Sequence, residues 1–269
     1  MRTWLFLGAF AALLVAAQAH ALPASVTFSG GGSAAGRILM TGPATLYVSS
    51  SGNDATCDGT LAKPCATISG AYALDQATLD HAGKWVTTAT PLNSLTGSQP
   101  AIGGPLVGGF GAGTFVVKGP GLSITGTAGF TIITTNGASL TIDGMTIIPA
   151  PTSIATAANT DSQIVLSNDL FPTNGGHALF DTNGGTLTAV NGTIQNSGAL
   201  PYVGISEDNG KMYIAGTWTM SGTPTWTQTF MQGDLGGGVD MTGCTISGAY
   251  SGPASRAIAP GWIQPGGCP

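Results

Sequence analysis

The chain has 269 residues, of which 42% are apolar and only 7% charged, and 43 are glycine. Disorder of the usual kind needs low hydrophobicity with high charge, so this balance excludes it. With seven Lys and Arg residues in all, nothing here could neutralise a run of phosphates, which excludes nucleic acid as a partner.

In chain order, Arg2, the apolar run from Trp4 to Ala17 and the small-residue site Ala19-His20-Ala21 read as a secretory signal peptide over residues 1–21. The apolar run is too short for a membrane span, and no later segment is long enough, so the mature chain is expected to lack one. A secreted, periplasmic or extracellular location follows. Removing residues 1–21 leaves 6 basic and 12 acidic side chains. Export permits disulfides, and four cysteines allow three pairings. Cys57 with Cys65 and Cys244 with Cys268 is the expected pairing, because each closes a local loop. No metal site is expected, since the cysteines form no C-x-x-C and have no nearby histidine.

Residues 22–44 are a Gly/Ser-rich lead-in with one early strand. Residues 45–85 read as an N-terminal cap. It comprises a strand at 45–49, a turn-rich loop at 52–63 and a helix from Cys65 to about Asp80. That helix places Ile68, Ala71, Tyr72 and Leu79 near one face. From residue 86 to 248 one motif recurs, apolar-x-apolar-x-Gly/Asn. Its copies are Phe115-Val117-Gly119, Leu140-Ile142-Gly144, Ile164-Leu166-Asn168, Leu187-Ala189-Asn191, Met212-Ile214-Gly216 and Val239-Met241-Gly243. Their first positions are 25, 24, 23, 25 and 27 residues apart. Most copies continue into a second short strand, such as Thr146-Ile147, Leu170-Phe171 and Thr193-Ile194. Alternation of period two means strands, and Gly or Asn at the fifth position suits a bend with φ > 0. A β-sandwich has no reason to repeat one motif at near-constant spacing, and the leucine-rich and calcium-nonapeptide frames are absent. The expected fold is all-β: a right-handed parallel β-helix of about six to eight coils. It has an N-terminal capping helix and a C-terminal tail at 249–269.

Residues 46–74 (LYVSSSGNDATCDGTLAKPCATISGAYAL) add a resemblance. Tyr47-Val48-Ser49, Gly52-Asn53-Asp54, Asp58-Gly59 and Pro64 followed by Ala66-Thr67-Ile68 resemble the N-terminal entry motif of the pectate-lyase-like right-handed parallel β-helix superfamily. That group includes secreted bacterial and phage tailspike-like proteins. The match is close over these residues and loose over the coils. It implies the fold, and contact with glycans as a tendency, since members include lyases, hydrolases, epimerases, adhesins and virion spikes.

Chemistry is harder to place. The lyases of this group pair acidic calcium ligands with an Arg or Lys base, so calcium enters only if the protein is a lyase. No other cofactor is implied. The catalytic candidates are Asp143, Asp161, Asp169 and Lys118. Lys118 shares an outward column with Asp143 one coil away, where a surface ion pair is the plainer reading. Asn159-Thr160-Asp161 matches the first motif of polygalacturonase-type hydrolases and Gly176-His177-Ala178 part of the third. The D-D and R-I-K motifs are absent. Asp161 could pair with Asp169 or Asp181 for acid–base hydrolysis, though nothing singles them out. His81 and His177 read as locally bonded or solvated, and Asn191-Gly-Thr fits a glycosylation acceptor. Tyr213, Trp218 and Trp226 are expected to point outward as platforms for sugar rings. An inserted residue in a coil would turn such a side chain inward.

The leading expectation is an exported, non-catalytic protein that contacts extracellular polysaccharide or cell-surface glycan. A polysaccharide lyase or glycoside hydrolase, and a tailspike-like virion component, are the alternatives. Solenoid edges and low charge make a homo-oligomer plausible.

Overall fold

The computed structural model describes residues 36–97, 99–174 and 176–269; the expected signal peptide at 1–21 and most of the expected lead-in lie outside them. The described residues form a parallel β-solenoid of about seven turns. Every named strand pair is parallel, in a thirteen-stranded sheet, a seven-stranded sheet and one two-stranded pair. No helix is long and apolar enough to cross a membrane.

One coil shows the path. Ala178–Asn183 lies in the seven-stranded sheet, and Thr186–Gln195 crosses to the thirteen-stranded sheet and bends at Asn191. Leu200–Glu207 then returns beside Ala178–Asn183. The repeat read from the sequence sets the register. Leu140, Ile164, Leu187, Met212 and Val239 are consecutive ladder partners, and all are buried. Stacking identical inward positions gives every coil the same apolar neighbours above and below. The fifth-position bend is as expected in four of the six copies: Gly144, Asn168, Asn191 and Gly216 have φ of 74°, 57°, 56° and 72°, while Gly119 and Gly243 do not take positive φ. Inside, Phe171 and Phe180 meet edge to face at 5.0 Å, joining the two sheets.

The helix forms over Ile68–Thr78, with Ile68, Ala71 and Tyr72 buried. Thr67 caps its first turn by accepting from Gly70 N. The helix covers a sheet edge through side chains. Ser69 donates to the Ala101 carbonyl, Tyr72 Oη to that of Gly104, and Gln76 Nε2 to those of Gly103 and Pro105. These carbonyls flank Ile102–Gly103, the terminal strand of the seven-stranded sheet, so the helix occupies an edge that would otherwise invite pairing. Both expected disulfides are present, with Cα–Cα distances of 4.9 Å for Cys57–Cys65 and 5.6 Å for Cys244–Cys268. After residue 248 the ladder continues. Arg256–Ala257 joins the seven-stranded sheet and Trp262–Gln264 the thirteen-stranded one.

Candidate functional site

The sequence-derived candidates scatter. Lys118 and Asp143 are ladder partners as expected, with Nζ 3.5 Å from Oδ2 on an open surface. Asn168 Nδ2 donates to the other Asp143 oxygen at 3.0 Å. Asp169 sits in the same corner but is buried. Its two oxygens accept from Met145 N at 2.8 Å and Ser167 N at 3.0 Å, so the side chain ties one coil's bend to the next. Burial pushes its carboxyl up to about 8, against the pull of those amides. Asp161 is exposed in the turn before strand Gln163–Pro172. The straight segment between Asp161 and Asp169 spans roughly 16 Å at strand rise, too far for a hydrolytic pair, which needs roughly 5–10 Å.

Two aromatic expectations are corrected. Trp218 is 1% exposed and Trp226 2%. Strand Lys211–Ser221 carries one extra residue opposite Asn191, so Gly192 pairs with Trp218 and Thr193 with Thr219. Asn191 Oδ1 accepts from Thr217 N at 2.9 Å and holds this bulge. The extra residue turns Trp218 into the core, where its ring lies 5.7 Å from Phe180 and 6.2 Å from Phe171. Gly192 leaves room for it, since a Cβ there would lie 2.8 Å from the indole. Trp226 is in a strand rather than a loop. Its Nε1 donates to the Pro253 carbonyl at 2.7 Å, and Tyr250 stacks on it at 5.1 Å. Tyr213 alone of the three is exposed, at 37%.

The structure gathers a different set on the seven-stranded sheet. Asp181, Ile205, Gln232 and Arg256 are successive ladder partners across four coils. Asn159, Asn183 and Glu207 form the column two residues along. Phe180 faces the core aromatics, so by strand alternation Asp181, Asn183 and Glu207 face outward. Arg256 Nε and Nη2 donate to Gln232 Oε1 at 3.1 and 2.9 Å, and Gln232 Nε2 donates to Asp234 Oδ2 at 3.5 Å. Asn183 Nδ2 donates to Asp208 Oδ2 at 2.9 Å. At one end the His177 and Tyr202 rings lie 5.4 Å apart.

The electrostatics of this strip follow from crowding. Burial first, and then the neighbouring Glu207, push the Asp181 carboxyl up to about 6. Glu207 is also raised, by burial and by Asp234 and Asp208, while His177 pulls the other way. Asp181 and Glu207 are one strand and two residues apart, about 8 Å between Cα atoms from strand spacing and rise. Both carboxyls therefore hold their protons to a higher pH than free carboxyls do.

Among the described residues only Asp54, Cys57 and Cys65 bring three ligand atoms within 4.8 Å of one another. Both sulfurs are in a disulfide, and Asp54 accepts from Ala66 N, Thr67 N and Thr67 Oγ1. That group is therefore a structural clasp. The strip's carboxylates are strung along a face instead of gathered on one point.

No family model matches this chain, and neither a curated protein nor a solved structure does.

Proposed function

We propose that the protein is an exported β-helix that contacts glycans along the outer strip of the seven-stranded sheet. The observation that carries this is the alignment of Asp181, Glu207, Asp234 and Arg256 over neighbouring coils, with the buried Gln232 bonded to both Arg256 and Asp234 and the Tyr202 and His177 rings at one end. Planar polar side chains bind vicinal hydroxyls, and rings take the C–H faces of sugars. Coils advance about 4.8 Å each, a spacing comparable to one sugar of an extended polymer. The signal-peptide pattern and the two joined cysteine pairs support export. The likeness of residues 46–74 to pectate-lyase-like proteins supports a glycan partner.

A second reading has its own observation. Asp181 and Glu207 are two carboxyls on adjacent coils, about 8 Å apart between Cα atoms from strand spacing and rise, which favours a glycoside hydrolase that uses this pair. Incubating the protein with acidic and neutral polysaccharides, with and without calcium, separates the two. Retention without new chain ends supports binding alone. New reducing ends, lost in Asp181→Asn and Glu207→Gln, support hydrolysis, and unsaturated uronates would point to a lyase. Neither retention nor cleavage overturns both readings and favours a virion or structural part, for which light scattering should find a trimer.

A further inference from the structure

A second outward surface lies on the thirteen-stranded sheet, and it contains a tryptophan that the repeat pattern does not mark. Trp262 is 41% exposed and Tyr213 37%. Lys211, Gly238 and Trp262 are ladder partners on three successive coils, and Tyr213, Asp240 and Gln264 are the partners two residues along. Met212 and Val239, between the two columns, are buried, so both columns face outward. The result is a grid two residues wide and three coils long.

The indole of Trp262 is laid over Gly238. A Cβ at that position would fall 1.9 Å from Cε2 and 2.2 Å from Nε1 of the ring. Any residue but glycine would push the ring off the sheet. With one face against the backbone, the ring turns the other to solvent as a fixed plane. Tyr213 stands diagonally across the grid, about 12 Å away between Cα atoms from coil spacing and strand rise. Asp240 sits between the two rings. Its Oδ1 is held by Thr242 N and Oγ1 at 2.9 and 2.8 Å, which leaves Oδ2 facing out.

The chemistry of the grid narrows its occupant. Lys211 and Asp240 balance in charge, so an anionic polymer gains nothing over a neutral one. One lysine cannot hold a nucleic-acid backbone. Two rings separated by Asp240 and Gln264 are not the contiguous apolar patch that a protein or membrane partner needs. A pyranose chain offers what fits: C–H faces for the rings and hydroxyls for Lys211, Asp240 and Gln264. We infer that Trp262 and Tyr213, with Lys211, Asp240 and Gln264 around them, bind a neutral pyranose polymer lying across the last coils. This rests on the reading of the protein as glycan-contacting and assigns it a site apart from the Asp181–Glu207 strip.

Native affinity electrophoresis of the full chain tests this, in gels containing hydroxyethyl cellulose, glucomannan or laminarin, with pectate and alginate as anionic controls. Retardation by at least one neutral polymer is expected. Trp262→Ala and Tyr213→Ala should each weaken it by roughly 3- to 10-fold, the worth of one ring contact. Trp262→Phe should restore most of it. Unaltered far-UV circular dichroism must accompany each variant. Wild-type retention by no neutral polymer overturns the site. So does undiminished binding by folded Trp262→Ala. Loss only in an Asp181→Asn/Glu207→Gln variant overturns it while leaving the strip in place.

Discussion

The helix end of the molecule and its middle coils are held together in different ways. Around Ile68–Thr78 each contact is made once. Asp54 accepts from two amides and a hydroxyl, Gln99 Oε1 accepts from Ile68 N, and Asp75 pairs with His81. In the middle coils the same contact recurs at every level, as the Leu140-to-Val239 column and the Asn168 and Asn191 bends show. An interior coil finds partners above and below it simply by being a coil. An end coil has one open side, and particular side chains must satisfy what the missing neighbour would have bonded. Damage to a single residue should therefore cost most near the helix.

The sharpest way to break that contrast is Asp75→Ala. His81 is fully buried, with Nδ1 2.9 Å from the Trp85 carbonyl and Nε2 2.7 Å from Asp75 Oδ1. The Trp85 carbonyl can only accept, so Nδ1 donates to it while Nε2 pairs with the Asp75 carboxyl. Burial alone would lower its pKa, but the Asp75 hydrogen bond and charge outweigh this and raise it. Removing Asp75 breaks this buried pair and should cost about 3–5 kcal/mol by denaturant titration. In the middle coils Asp169→Ala should cost about 2–4 kcal/mol, because Met145 N and Ser167 N lose their acceptor. A larger loss there than at Asp75 would reverse the comparison.

The pH dependence sharpens it further. The raised His81 contributes stability that is present in full below about 6.5 and lost as pH climbs through its folded value. Asp169, pushed up to about 8 in the fold, keeps its proton where the unfolded chain has released it, so stability falls between about pH 4 and 8. Asp181, raised to about 6, has the same sign over a narrower window. The melting temperature should therefore fall from about pH 5 to pH 9, and Asp169→Asn should flatten the slope. A melting temperature that rises over this range would contradict these assignments. Least is expected at the corner pair. Lys118→Ala should change stability by less than about 0.5 kcal/mol and less still in high salt, since both side chains meet water.

The thirteen-stranded sheet was legible in the sequence because its strands alternate cleanly. Leu140, Ile142, Ile164 and Leu166 face in, and Thr141, Asp143 and Val165 face out. The seven-stranded sheet was not. Ala178, Leu179 and Phe180 are buried in succession, as are Val203 to Ser206 in the next strand, which erases the period-two signal. Strands such as Ala178–Asn183 and Leu200–Glu207 therefore read as connections between repeats, and Glu207 went unnoticed with them. Trp262 was hidden for a different reason. It lies in a three-residue strand past the last complete repeat, where no pattern assigns it a side.

The bulge opposite Asn191 has a consequence beyond the tryptophan it buries. Between two corners of a solenoid, strand phase decides which side chains see solvent, and a corner can absorb a change of length without disturbing the other sheet. Here the shift begins at Gly216 and Thr217, while Lys211 to Ala215 stay in step with the coil before. One added or deleted residue at such a corner exchanges the inside and outside sets of a whole strand segment in a single event. A β-helix can thus acquire a new surface by changing length at a bend, without the stepwise replacement that a globular core would demand.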